Sequence, residues 1–249
     1  MLSGYPVQNI LFLDIETVPQ QPGFHLLPED WKGLWETKAG MLLKNREGET
    51  AETIYERAGI YAEFGKIICI SCGVMQGTEN NRKLVLKSFF GNDEAQVLRA
   101  FCDMLIKWNP SPGRAGSNES KYLCAHNGKE FDFPYICRRL IINRLPIPVL
   151  LNMAGKKPWE VNHLDTMELW KFGDYKSYTS LNLLAHSLGI PTPKDDIDGS
   201  MVCKVYYEEK NLERIVTYCQ KDVITLAQIF LRFSGEMGLK NEAIEIKKG

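Results

Sequence analysis

Asp14 and Glu16 stand two residues apart at the end of the apolar run Ile10-Leu11-Phe12-Leu13. A short uninterrupted apolar run predicts a strand covered on both faces. In an extended backbone, residues i and i+2 share a face, so the two carboxyls point the same way, roughly 7 Å apart along the strand. Buried side by side, two acids repel each other and resist desolvation. A divalent cation between them removes both costs, and oxygen donors suit magnesium or manganese. The competing reading is that the strand has reached the surface at Asp14 and the acids are solvated. Two later positions bear on that choice. Asp132 precedes Pro134, which is tolerated in a first helical turn, so it falls at the N-terminal end of a helix predicted through Asn143. It reads either as a cap or as a third acid presented at a strand-to-helix turn. Tyr218 and Asp222 are four apart in a helix predicted over 211–233, which puts their side chains on one face, roughly 5–6 Å from each other.

The elements that must position these groups can be read around them. Strands are expected at 66–75, 83–90 and 121–125, the first two following the opening strand as a meander. An amphipathic helix is expected over Asp93–Trp108, another over Ser180–Leu188, capped by Ser180 and stopped by Gly189 and Pro191. Asp165-Thr166-Met167-Glu168 has the spacing of a capping box, which favours a cap over a ligand for Asp165. Residues 195–200 form an acidic turn without the remaining ligands of a calcium loop. The stretch 20–63 reads as a helical excursion that walls the site or packs on a sheet edge, with its aromatics in a core. It carries five basic against eight acidic side chains, so it is a poor phosphate clamp. Residues 109–120 read as a surface loop, and the tail from Lys240 as frayed.

Composition narrows the class. The 249 residues suffice for a substantial core, 44% are hydrophobic, and the net charge of −1 gives no global basic field. The one basic excess, seven against four over 138–176, makes Arg138, Lys156 and Lys157 candidates for contacts to a nucleic-acid backbone. Residues 1–6 lack the segments of a signal peptide, and no apolar run approaches a membrane span. Seven cysteines without a repeating framework suggest reduced thiols in the cytoplasm. Cys69 and Cys72 are three apart in a predicted strand, hence on opposite faces, and do not form a chelating pair.

Taken in order, Leu13-Asp14-Ile15-Glu16-Thr17, Asn127-Gly128-x-x-Phe131-Asp132 and Tyr218-Cys219-Gln220-Lys221-Asp222-Val223 resemble the DnaQ-like, or DEDD, 3′–5′ exonucleases. None of the four histidines lies one turn before Asp222, which points to the tyrosine subclass. The closest resemblance is to the predicted PolB-like 3′–5′ exonucleases; it also takes in residues 63–67, 164–166, 188–191 and 198–200. The resemblance implies an RNase H-like α/β fold, a mixed five-stranded sheet flanked by helices, over a single exonuclease domain 1–249. It implies two Mg2+ or Mn2+ ions held by Asp14, Glu16, Asp132 and Asp222. Asp14 would bridge, Glu16 and Asp222 would serve the water-activating ion, and Asp132 the leaving-group ion. Tyr218 would orient the attacking water, and Thr17, Asn127 and Phe131 would touch substrate. The expected activity is metal-dependent 3′–5′ hydrolysis of single-stranded DNA ends, alone or with a replication or repair partner. The alternatives are an RNase D-like exoribonuclease acting on RNA and a nucleic-acid-binding protein that kept the fold without turnover.

Overall fold

The computed structural model describes residues 4–44, 47–110, 120–174, 178–192 and 197–247. Among them, six strands form one mixed sheet in the order β5-β4-β1-β2-β3-β6. Strand β1 (Ile10–Pro19) runs antiparallel to β2 (Gly65–Gln76), which runs antiparallel to β3 (Lys83–Phe90), the expected meander. On its other side β1 pairs in parallel with β4 (Tyr122–Ala125), and β4 with the two-residue β5 (Leu164–Asp165).

Both faces of β1 are covered, as the apolar run requires. Leu11, Leu13 and Ile15 point into a core shared with α2 (Glu94–Trp108) and α3 (Asp132–Ile142). Ile10 and Phe12 point the opposite way, under the long helix α7 (Leu212–Phe233), where the Phe12 and Phe230 rings meet edge to face at 5.5 Å. Asp14 and Glu16 continue the Ile10–Phe12 row, so the strand's period of two delivers both carboxyls beneath α7. Cys69 and Cys72 fall on opposite faces of β2, Cys69 against Cys219 of α7 and Cys72 in the α2–α3 core. Asn211 caps α7 by accepting from Arg214 N, and Asp93 and Ser180 cap α2 and α5 (Leu181–Ser187) in the same way.

The sheet has one strand more than expected. The tail read as frayed forms β6 (Ile244–Lys247), parallel to β3 in the register Leu84↔Ile244. The Gln228 amide holds this tail, donating to Leu239 O at 3.0 Å and accepting from Leu239 N at 2.9 Å. Ile244 and Ile246 alternate with Glu245 and Lys247, a half-exposed edge pattern too short to outweigh the segment's polarity.

The excursion contains α1 (Glu29–Leu42) and the 3₁₀ turn Tyr55–Ile60. They build a small core of their own around Trp35, whose indole donates to Ala51 O at 2.7 Å and whose ring meets Tyr55 and Phe64. Trp35 and Tyr55 are therefore buried, as expected, whereas Trp31 stays exposed. The turn leans on β1 so closely that a Cβ on Gly59 would lie 3.0 Å from the Val18 carbonyl carbon. Residues 111–119, Lys176 and the acidic pair Asp195–Asp196 lie outside the described residues.

A buried ion pair ties the layers behind the site. Arg139 of α3 donates through Nε and Nη2 to Glu94 of α2, at 2.8 and 2.5 Å, and through Nη1 to Ala62 O. Glu94 also accepts from Ile67 N of β2 and from the Asn143 amide. Arg139 therefore faces inward, and its charge cannot count toward a surface for nucleic acid; Arg138 beside it is exposed.

Candidate active site

Asp132 reaches the first strand by a specific route. Strand β4 stops pairing with β1 at Phe12↔Cys124, which leaves the β1 amides beyond that point needing acceptors on this edge. The Asp132 carboxylate takes the Ile15 amide, and so lies beside Asp14 and Glu16. The turn that presents it is organised by Asp165, which is the cap the sequence indicated and more. Its Oδ1 accepts from Asn127 N, Met167 N and Glu168 N, and its Oδ2 from Lys129 N. Asn127 turns the corner with φ of +62°. His126 braces the same turn, with Nδ1 on Thr166 Oγ1 and Nε2 on Thr179 O.

From the other side α7 lowers Tyr218 and Asp222 onto the pair. The Tyr218 hydroxyl hydrogen-bonds to Asp222, one helical turn on. Cys219 supplies a contact that the spacing argument did not anticipate: its thiol lies 3.3 Å from Asp14 Oδ2. One donor atom each from Asp14, Glu16 and Cys219 lie within 4.8 Å of one another. Just past Glu16 the β1–β2 register slips, with Glu16 opposite Cys69 but Thr17 opposite Ile67. Such bulges re-aim side chains beside sites.

The electrostatics follow from burial and crowding. Desolvation raises the Asp14 carboxyl well above the usual range, and Asp222 and then Asp132 raise it further. Glu16 is raised for the same reason, with Asp14 and Asp222 as its strongest charged neighbours. Burial pushes Asp132 up to about 7, with Asp165 and Asp222 adding to the shift and the Ile15 amide opposing it. The Tyr218 phenol is raised by burial and then by Asp222, Glu16 and Asp14, so it stays a neutral donor at any working pH. Among the described residues, no lysine or arginine figures among the groups that shift Asp14, Glu16 and Asp132. Buried carboxylates crowded in this way, all offering oxygen, fit hard divalent cations.

This strain gives a prediction for the cation-free protein. An unfolded aspartate titrates near 3.9, whereas folded Asp132 titrates at about 7. The folded state therefore holds its proton more tightly, and the site's favourable contribution is present in acid and lost as pH rises through about 7. In EDTA, Asp132→Asn is expected to raise the melting temperature at pH 7.5 and to do little at pH 4. The gain should be at most a few kcal/mol. Thermal scans at the two pH values check this; a loss of stability at pH 7.5 contradicts it.

The remaining expected contacts divide between two cavities, one lined by Glu16 and the other by Asp165. Thr17 and Phe131 line one of 410 Å³, together with Glu16 and Arg57. Asn127 and Lys156 line the other, of 440 Å³, with Asp165 and Lys129. Arg138 and Lys157 line neither cavity, and the Lys157 ammonium sits over the Trp159 ring at 5.3 Å. Tyr178, which no periodicity marked, is exposed yet lies within electrostatic reach of Asp132, Asp165 and Asp14, against the His126 ring.

Among solved structures, the family B DNA polymerase of the archaeon Pyrobaculum calidifontis is similar over 92% of this chain, at 16% identity and a TM-score of 0.50. This chain spans a quarter of that polymerase. The RNase domain of yeast Pop2 is similar over 96% of this chain and 81% of its own, at 13% identity and a TM-score of 0.37. No curated protein matches in sequence. The polymerase likeness supports the RNase H-like fold expected from the motifs. A family model described as a predicted 3′–5′ exonuclease related to the exonuclease domain of PolB matches residues 60–247, which takes in Asp132, Tyr218 and Asp222. The chain belongs to this family of predicted 3′–5′ exonucleases related to the exonuclease domain of PolB.

Proposed function

We infer that this chain removes nucleotides from the 3′ end of single-stranded DNA by metal-assisted hydrolysis, as one exonuclease unit. The observation that carries this reading is the meeting of acids and a phenol from β1, α3 and α7: Asp14, Glu16 and Asp132 are buried and raised, and Asp222 acts on all three and on Tyr218. Two Mg2+ or Mn2+ ions held by Asp14, Glu16, Asp132 and Asp222 would supply a more acidic attacking water and neutralise charge on the phosphate and the leaving oxygen. Asp14, which has both Asp222 and Asp132 among its charged neighbours, would be the ligand shared by the two ions. Glu16 and Asp222, both neighbours of Tyr218, would hold the ion that acidifies the attacking water, and Asp132 the ion that neutralises the leaving oxygen.

Tyr218 orients the water as a hydrogen-bond partner. Its raised pKa rules it out as a base at neutral pH. Tyr218→Phe is expected to lower kcat by less than loss of a carboxylate does, at about the ~10² lower end of the range for proton-handling groups. Steady-state rates on a labelled oligomer check this, and unchanged turnover removes Tyr218 from the mechanism.

The reading as a whole is tested by DNA and RNA oligomers run side by side, each labelled at the 5′ or the 3′ end, with Mg2+, with Mn2+ and with EDTA. A ladder of shortened 5′-labelled DNA that vanishes in EDTA is expected. Shortening of RNA alone would make the chain an exoribonuclease. Retention on a gel without shortening would leave a binding protein.

A further inference from the structure

The 410 Å³ cavity beside Glu16 has its far wall on the 3₁₀ turn Tyr55–Ile60. We propose that Arg57, on this turn, anchors a backbone phosphate at the 3′ end of the strand being cut. The proposal rests on the exonuclease reading above, and it assigns to this segment a contact with the substrate.

Three observations carry it. First, among the described residues Arg57 is the one cationic side chain lining this cavity, opposite Glu16, Thr17 and Phe131. Second, its guanidinium is exposed and makes no ion pair or hydrogen bond among the described residues. Glu56 and Glu16 share the cavity without pairing to it, so the charge remains available to an anion. Third, its backbone is fixed relative to the acids. Gly59 lies against the Val18 backbone of β1, and its carbonyl accepts the Tyr135 hydroxyl of α3 at 2.7 Å. Tyr55 and Ala58 are buried in the core around Trp35. The backbone that carries the guanidinium is therefore already ordered, and the planar guanidinium donors match phosphate oxygens. The excursion is acidic overall, so diffuse attraction is not what it offers; one placed cation is. A cavity of this volume falls at the lower end of the roughly 300–1,000 Å³ of small-molecule sites. That suits one unpaired nucleotide beyond the bond being cut.

The test uses the full chain with its acids intact, Mn2+, and a fluorescent single-stranded DNA oligomer whose 3′-terminal linkages are phosphorothioates, so that binding is read before cutting. Fluorescence anisotropy is followed across a salt series. Arg57→Ala is expected to weaken binding about tenfold and to flatten the slope of log K against log salt by about 0.7, the value of one phosphate contact on a single strand. Arg57→Lys should recover most of both. On the unmodified oligomer, Arg57→Ala should raise KM more than it lowers kcat. Unchanged affinity overturns the proposal. So does weaker binding at an unchanged salt slope, which would mean that Arg57 only supports the wall, and so does failure of the parent chain to bind the oligomer. If the intact chain binds but never shortens DNA, the exonuclease reading falls alone, because the binding series needs no turnover.

Discussion

Asp14→Ala and Asp222→Asn should each reduce metal-dependent degradation on the order of 10³-fold or more, to the floor of the assay, without unfolding the protein. The size of the effect follows from what the side chains hold. A transition state that gains negative charge on a phosphate already charged needs cations in register, and Asp14 is pressed by the acids on both sides of the cluster. Removing it takes the shared ligand away from both ions. Asp222→Asn is the milder change in shape, because the amide oxygen can still accept the Tyr218 hydroxyl, but it cannot supply charge. The fold should survive because Asp14 is raised by burial and by repulsion from Asp222 and Asp132, so removing either member of the Asp14–Asp222 pair relieves strain in the cation-free protein. Rates on a labelled oligomer, with thermal scans of the same preparations, check both halves. Turnover within tenfold of the parent chain in either variant contradicts the assignment.

The second large effect is on stability. Glu94→Ala is expected to cost roughly 3–5 kcal/mol, the range for breaking a buried ion pair by removing one partner. It strands the Arg139 guanidinium, which is 5% exposed, and takes an acceptor from Ile67 N and from the Asn143 amide. Replacing both charges, as Glu94→Leu with Arg139→Met, should recover much of the loss, because apolar residues of similar volume often pack as well as the pair did. Urea unfolding of the three variants measures this; a cost under about 1 kcal/mol for Glu94→Ala would show the network to be unimportant. The pair also bears on the site. Glu94 joins α2, α3 and β2, and the first turn of α3 carries Asp132, so the single variant should lose activity along with stability.

Much of the site was legible because strand and helix periods are local rules. The alternation along Ile10–Glu16 put both acids under α7, and the i,i+4 spacing put Tyr218 beside Asp222. Asp165 read as a cap and is one. What the sequence hid depends on contacts between distant elements. Arg139 sits beside exposed Arg138 in the chain, and only a partner on α2 makes it a buried residue. Cys219 looked like one more apolar member of the α7 stripe, yet its thiol meets Asp14 from 205 residues away. Tyr178 lies outside any helix or strand, so no period pointed to it. The edge strand β6 needed its neighbour β3 to exist before four residues could count as a strand.

The account stands on cations gathering where these acids meet, and manganese reports that without any nucleic acid present. Titrating Mn2+ into the protein, followed by the loss of the free-ion paramagnetic resonance signal, should show tight uptake at neutral pH. Asp14→Asn and Asp222→Asn should abolish or sharply weaken it. Equal uptake by the parent chain and both variants would contradict the account.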